Sequence, residues 1–322
     1  MSEISARDSR RRIGRSPSAT NWRVLAGVAA SLSAVLATVA LAGYLVDSSP
    51  LADLADPLAV QRDVSYGPGA HHVLDIAYDR ALARLRPAIV MIHPGGWMQG
   101  DKAAYHGLMA DYARLGYVTV SINFRPSGVA KYPAAIEDCK RAIRWLRFHA
   151  ATYGVDPKRI GVTGWSSGAH LAMLLALSDD SFEKDDEFQG VSGRVQAAIC
   201  VSGVYDFLME RRGRFPNSEE DLAVVRFLGG SPLQNRDLAR RASPLTYLSP
   251  DDPPVLVFHG ELDPRIDAEQ ARQFASASKA MGREDPVVLL PNEGHGRNVL
   301  PEDPQSRQLI RDFFARHLGV AE

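Results

Sequence analysis

Short, almost uninterrupted apolar runs punctuate this chain and limit what it can fold into. HVLDIAY (72–78), AIVMI (88–92), YVTVSI (117–122), RIGVT (159–163), VQAAICVS (195–202), PVLVFHG (254–260) and PVVLL (286–290) follow one another at intervals. Most lack the polar alternation that leaves one face of a strand in water, so they read as strands buried on both sides. Between them lie segments with helical spacing. YPAAIEDCKRAIRWLRFHA carries Ala135, Ile136, Ala142, Ile143, Leu146 and Phe148 on this period, and further helices are expected near 268–281 and 304–317. Buried strands alternating with amphipathic helices specify an α/β fold, a mostly parallel central sheet with helices on both faces. On such sheets ligands bind beyond the carboxyl ends of the strands, so chemistry is expected in the loops that follow them.

The sheet-and-helix pattern runs from about Val64 to the C-terminus, giving one α/β domain over 64–322. Upstream the composition changes twice. Residues 1–23 hold six arginines against Glu3 and Asp8, a local charge of +4. The remaining chain is therefore mildly acidic, which argues against a nucleic-acid partner, since phosphate binding needs a basic footprint. The 23 residues from Val24 to Val46 contain no charge. As a helix they would span roughly 34 Å, against about 30 Å of hydrocarbon core. With the arginines before it, this run is expected to be a transmembrane anchor with the body on the non-cytoplasmic side. A cleaved signal sequence, with Ala40–Ala42 as its site, is the other reading, and the protein would then be secreted or periplasmic. Either way the protein is expected to be exported. Asp47–Asp63, rich in Pro, Ser and Asp, reads as a linker. The only cysteines, Cys139 and Cys200, sit in a helical and a strand-like run and are expected to be buried thiols.

The strongest chemical signal is RIGVTGWSSGAHLA. Gly164-Trp165-Ser166-Ser167-Gly168 matches G-x-S-x-G and stands between a strand and a helix, the context of a nucleophile elbow. The turn is so tight that side chains two residues either side of the nucleophile would clash. That register selects Ser166, at a helix N-terminus whose partial positive charge suits a nearby oxyanion. A serine hydroxyl needs a base held by a third group. Asp263 follows the PVLVFHG strand and His295 follows PVVLL, so the chain order is Ser, acid, His. Glu261 is read as a solvated loop acid. Asp138, in the middle of a helix, is expected to anchor a loop or pair with an arginine. After AIVMI comes HPGGWMQGDK, where Gly95 and Gly96 let the backbone approach a substrate closely. Their N–H groups, with that of Ser167, would form an oxyanion hole.

Taken together, HPGGWMQGDK, YPAAIEDCKRAIRWL, GWSSGAHLA, SPLTYLSPDDPPVLVFHGELD and EGHG resemble the α/β-hydrolase fold esterases, in the hormone-sensitive-lipase-like and BD-FAE (feruloyl-esterase-like) branch. The resemblance implies a serine carboxylesterase with Ser166 as nucleophile, Asp263 as triad acid and His295 as base, acting on small, short-acyl esters. It implies no metal or organic cofactor. Pro94 stands where many relatives have glycine and removes one N–H, leaving Gly95 and Gly96 as the donors. GAHLA and W-x-x-x-D-K are also similar to kynurenine formamidase, so an amidase of the arylformamidase type is the alternative, with a non-catalytic binding domain as a third reading. The stretch from Asp179 to Arg241, apart from the strand at 195–202, reads as irregular, and FLMERRGRFPNSEEDLAVVRFLGG within it is expected to be an insertion that covers the site.

Overall fold

The computed structural model describes residues 58–80, 84–183, 187–209, 219–296 and 303–319. The apolar run at 24–46, read as an anchor or signal, lies outside the described residues. Among the described residues no helix is long and apolar enough to cross a membrane.

Eight strands form one sheet: β1 (Leu58–Ser65), β2 (Val73–Asp79), β3 (Arg86–Ile92), β4 (Val118–Ile122), β5 (Val155–Trp165), β6 (Ala197–Val201), β7 (Val255–Gly260) and β8 (Val287–Leu290). Their order is β1-β2-β4-β3-β5-β6-β7-β8. β4, β3, β5, β6, β7 and β8 pair in parallel, while β2 runs antiparallel to both β1 and β4. The linker expected up to Asp63 is therefore too long, because β1 starts at Leu58, inside it. PVVLL also differs from expectation. β8 is the last strand in the order and every residue in it is only half-buried.

Seven helices matter here: α1 (His106–Arg114), α2 (Ala134–Phe148), α3 (Ser167–Leu177), α4 (Glu219–Leu228), α5 (Arg236–Ala242), α6 (Glu269–Ala280) and α7 (Pro304–Leu318). Strand alternation sorts the core into two layers. Val90 and Ile92 of β3 pack with Ile136, Ile143 and Leu146 of α2 and with α3. Ile89 and Met91 of the same strand pack with Met109 of α1 and Ile310, Phe313 and Phe314 of α7. All eleven residues of α3 are buried, as an apolar helix between the sheet and other elements must be.

The insertion is more regular than its sequence suggests, since α4 and α5 both form within it. Asp138 on α2 does pair with an arginine. Its carboxylate takes three hydrogen bonds from the Arg125 guanidinium and one from His72, at 2.6–3.0 Å, and a fifth from the Arg125 backbone N–H. Burial alone would raise the Asp138 carboxyl, but these bonds hold it below its ordinary value. Cys139 and Cys200 are free and buried.

Candidate active site

β5 ends in a turn that only two glycines allow. A Cβ on Gly164 would run into the Gly168 carbonyl, and one on Gly168 into the Ile92 carbonyl of β3. Between them Ser166 takes φ 56 and ψ −120, a strained conformation for a residue with a side chain. Its N–H is tied to the Val201 carbonyl at 2.8 Å. The elbow thus lifts Ser166 above the sheet at the start of α3.

Asp263 and His295, separate in sequence, meet there. The His295 imidazole donates from Nδ1 to Asp263 Oδ2 at 2.7 Å, which leaves Nε2 as an acceptor 3.0 Å from Ser166 Oγ. Two further residues fix this chain, and neither stands out in the sequence. Trp165 donates its indole N–H to the His295 carbonyl at 2.9 Å, pinning the loop that carries the imidazole. His259, fully buried at the end of β7, brings Nε2 to 3.3 Å from Asp263 Oδ2 and 3.0 Å from the Ile266 carbonyl. The other Asp263 oxygen accepts from the N–H groups of Arg265 and Ile266 at 2.8 and 2.9 Å. Burial by itself would raise this carboxyl. The bonds from His259, His295 and Ile266 outweigh it and hold Asp263 well below the usual carboxylate range. The one sequence signal for His259 is its place four residues before the acid. Glu261 takes no part and pairs with Arg272.

The loop after β3 has positive φ at three successive residues, Gly95 (126), Gly96 (62) and Trp97 (58). A Cβ on Gly95 would collide with the Gln99 carbonyl, so this turn needs glycine. The Gly95 carbonyl closes the turn by accepting from Met98 and Gln99 N–H at 3.1 and 3.2 Å. Beyond the turn, Lys102 is buried between Asp63 and Asp75 at 2.9 and 3.1 Å, and Asp75 also binds His106 at 2.7 Å. That cluster anchors the loop's far end to β2. The insertion covers the near end. Phe227 of α4 stacks on Trp97 with centroids 4.6 Å apart and 17° between planes. Ala223 of α4 faces Gly96.

A serine at an elbow, a histidine in hydrogen-bond reach and a carboxylate behind it can activate a hydroxyl for acyl transfer. The BD-FAE family model matches residues 74–277. The chain belongs to the BD-FAE family. The chain is similar to Esterase LipQ of Mycobacterium tuberculosis, 36% identical over 80% of this chain and 62% of LipQ, and to the probable carboxylic ester hydrolase LipM of the same organism, 36% identical over 80% and 59%. Among solved structures, the butyrate-bound esterase 2 of the planctomycete Thermogutta terrifontis superposes with a TM-score of 0.67 at 27% identity, over 84% of this chain and 97% of that one. This BD-FAE chain spans about three fifths of the length of the curated relatives it matches.

Proposed function

We propose that this BD-FAE protein is a serine carboxylesterase with Ser166, His295 and Asp263 as its triad and Gly95, Gly96 and Ser167 as oxyanion-hole donors. The observation that carries the reading is the unbroken hydrogen-bond chain from Ser166 Oγ through His295 to Asp263, at 3.0 and 2.7 Å. Ser166 Oγ attacks the ester carbonyl carbon while His295 Nε2 takes the serine proton. The carbonyl oxygen becomes an oxyanion held by backbone N–H groups, in a step where one donor is typically worth about 2.7–4 kcal/mol. Collapse of the tetrahedral intermediate breaks the ester C–O bond, and His295 gives its proton to the departing alcohol oxygen. Water, deprotonated by His295, then cleaves the acyl-enzyme by the reverse route. Asp263 keeps the Nδ1 proton in place throughout and stabilises the imidazolium.

Ester rather than amide chemistry is supported by the relatives, which carry esterase names. Short acyl chains are supported by the butyrate and propionate bound to the T. terrifontis enzyme. Export remains part of the proposal, on the arginines and the uncharged run at the N-terminus.

The test is hydrolysis of p-nitrophenyl esters from acetate to laurate, beside an aryl formamide, by the full-length chain and its Ser166→Ala variant. Turnover strongest on short esters and lost in the variant is the expected result. Equal rates for chain and variant would refute the triad, and faster formamide turnover would move the assignment to amidase.

A further inference from the structure

Trp97 is the one residue with a large side chain in the run of three positive φ values, and a left-handed backbone disfavours such a residue. Something must hold it there. Its ring stacks on Phe227 and its carbonyl accepts from Ser127 N–H at 2.7 Å. Its indole N–H points down into the core and donates to His170 Nδ1 at 3.1 Å. His170 lies on α3, four residues after Ser166, and is fully buried. Its other ring nitrogen, Nε2, is 2.8 Å from the Ala242 carbonyl at the end of α5. A carbonyl only accepts and an indole N–H only donates. The two partners therefore fix one tautomer, with the proton on Nε2 and a bare Nδ1 facing Trp97. Phe207 and Phe227 complete the enclosure, with centroids 5.1 and 5.5 Å from the imidazole. Burial in this apolar box, opposed only by the Ala242 carbonyl, pushes His170 down to about 4, so it stays neutral and keeps its acceptor over the working range of a histidine base.

We infer that His170 is a positioning residue for catalysis: through Nδ1 it holds the Trp97 indole, and so holds the turn whose glycines present N–H groups to the oxyanion. It ties three parts of the site together, the helix that begins at the nucleophile, the glycine turn and the covering insertion. The inference rests on the serine-esterase reading, since it assigns the turn its oxyanion role. It predicts that loosening Trp97 harms the transition state more than substrate binding, because the oxyanion exists only after attack.

Substitutions on the full-length chain separate the two bonds of His170. An Asn side-chain oxygen falls near the position of Nδ1, whereas a Gln amide reaches the position of Nε2. His170→Asn keeps an acceptor for Trp97; His170→Gln keeps a donor for Ala242. Trp97→Phe keeps an aromatic ring for the stack on Phe227 and removes the indole N–H together with part of the ring volume. With p-nitrophenyl butyrate as substrate, Trp97→Phe and His170→Gln are expected to lose roughly 10- to 100-fold in kcat, with KM changed less than about threefold. His170→Asn is expected to stay within about threefold of wild type, and the double variant Trp97→Phe/His170→Gln to be no slower than Trp97→Phe alone. Circular dichroism melts identify variants that fail to fold, and Trp97→Phe, which leaves His170 in place, decides the matter if a His170 variant fails to fold. Equal losses in His170→Asn and His170→Gln, or wild-type kcat in folded Trp97→Phe, overturn the positioning role while leaving the esterase reading intact. An inert wild-type chain sinks that reading and the positioning role with it.

Discussion

Replacing Asp263 with asparagine tests the triad with almost no change of shape. One carboxylate oxygen accepts from two backbone N–H groups, those of Arg265 and Ile266, at 2.8 and 2.9 Å. An amide at this position must put its oxygen there, because those two backbone N–H groups can only donate, whereas the imidazole of His295 that faces the other oxygen can change tautomer. The NH2 group is therefore turned toward His295 Nδ1. Facing a donor, the imidazole moves its proton to Nε2, the nitrogen 3.0 Å from Ser166 Oγ, and can no longer accept the serine proton. In a serine protease the corresponding change lowers kcat by about 10⁴, and four factors of ten amount to roughly 5.5 kcal/mol of barrier. We expect a loss of that order for Asp263→Asn, measured as kcat on p-nitrophenyl butyrate and as the rate at which a fluorophosphonate labels Ser166. Both should fall together, since both need the serine proton removed. A folded variant that keeps more than a tenth of wild-type activity would refute the forced amide orientation and with it the role of Asp263.

Acid should destabilise the fold through its buried histidines. Burial lowers both His93 and His170 to about 4, so between that pH and the ordinary histidine value near 6.5 the unfolded chain binds more protons than the folded one. Stability then falls as pH falls through that window, by up to about 3 kcal/mol for each group; a melting temperature that is flat from pH 7 to 4 would contradict this. Gly168→Ala puts a methyl group into the Ile92 carbonyl, so the variant is expected to be unfolded or inactive, and soluble, active protein in an ordinary expression trial would show that the elbow can relax. Asp138→Ala strips Arg125 and His72 of the carboxylate that binds both, and by analogy with broken buried pairs should cost about 3–5 kcal/mol. Urea unfolding measures it, and a cost under about 1 kcal/mol would mean that the network contributes little.

The parts of this molecule that could be read from sequence are those whose environment leaves the residues no choice. β3, β5, β6 and β7 are covered on both faces, so their apolar runs are continuous, and the elbow's glycines are forced by backbone collisions. β1 is harder to read because it lies at the sheet's edge and its middle residues, Gln61, Arg62 and Asp63, are exposed, so its apolar residues, Leu58, Ala59, Val60 and Val64, make no continuous run. α4 and α5 were missed because they are short and sit in a polar insertion. His259, Trp165 and His170 show a different limit. Each acts through a hydrogen bond to a residue 4 to 130 positions away, and no local pattern records a partner that only the fold supplies.

β8 has a consequence for how this protein fails. Ser166 issues from β5, in the middle of the sheet, and its helix is wholly buried, whereas His295 follows a four-residue strand that closes the sheet order and is half-exposed throughout. Local opening is easiest where few apolar contacts resist it. Fraying of that margin would carry His295 away while Ser166 and the greater part of the sheet stay in place. On the serine-esterase reading, heat inactivation is then expected to precede loss of secondary structure and to reverse on cooling for as long as the centre has not followed the edge.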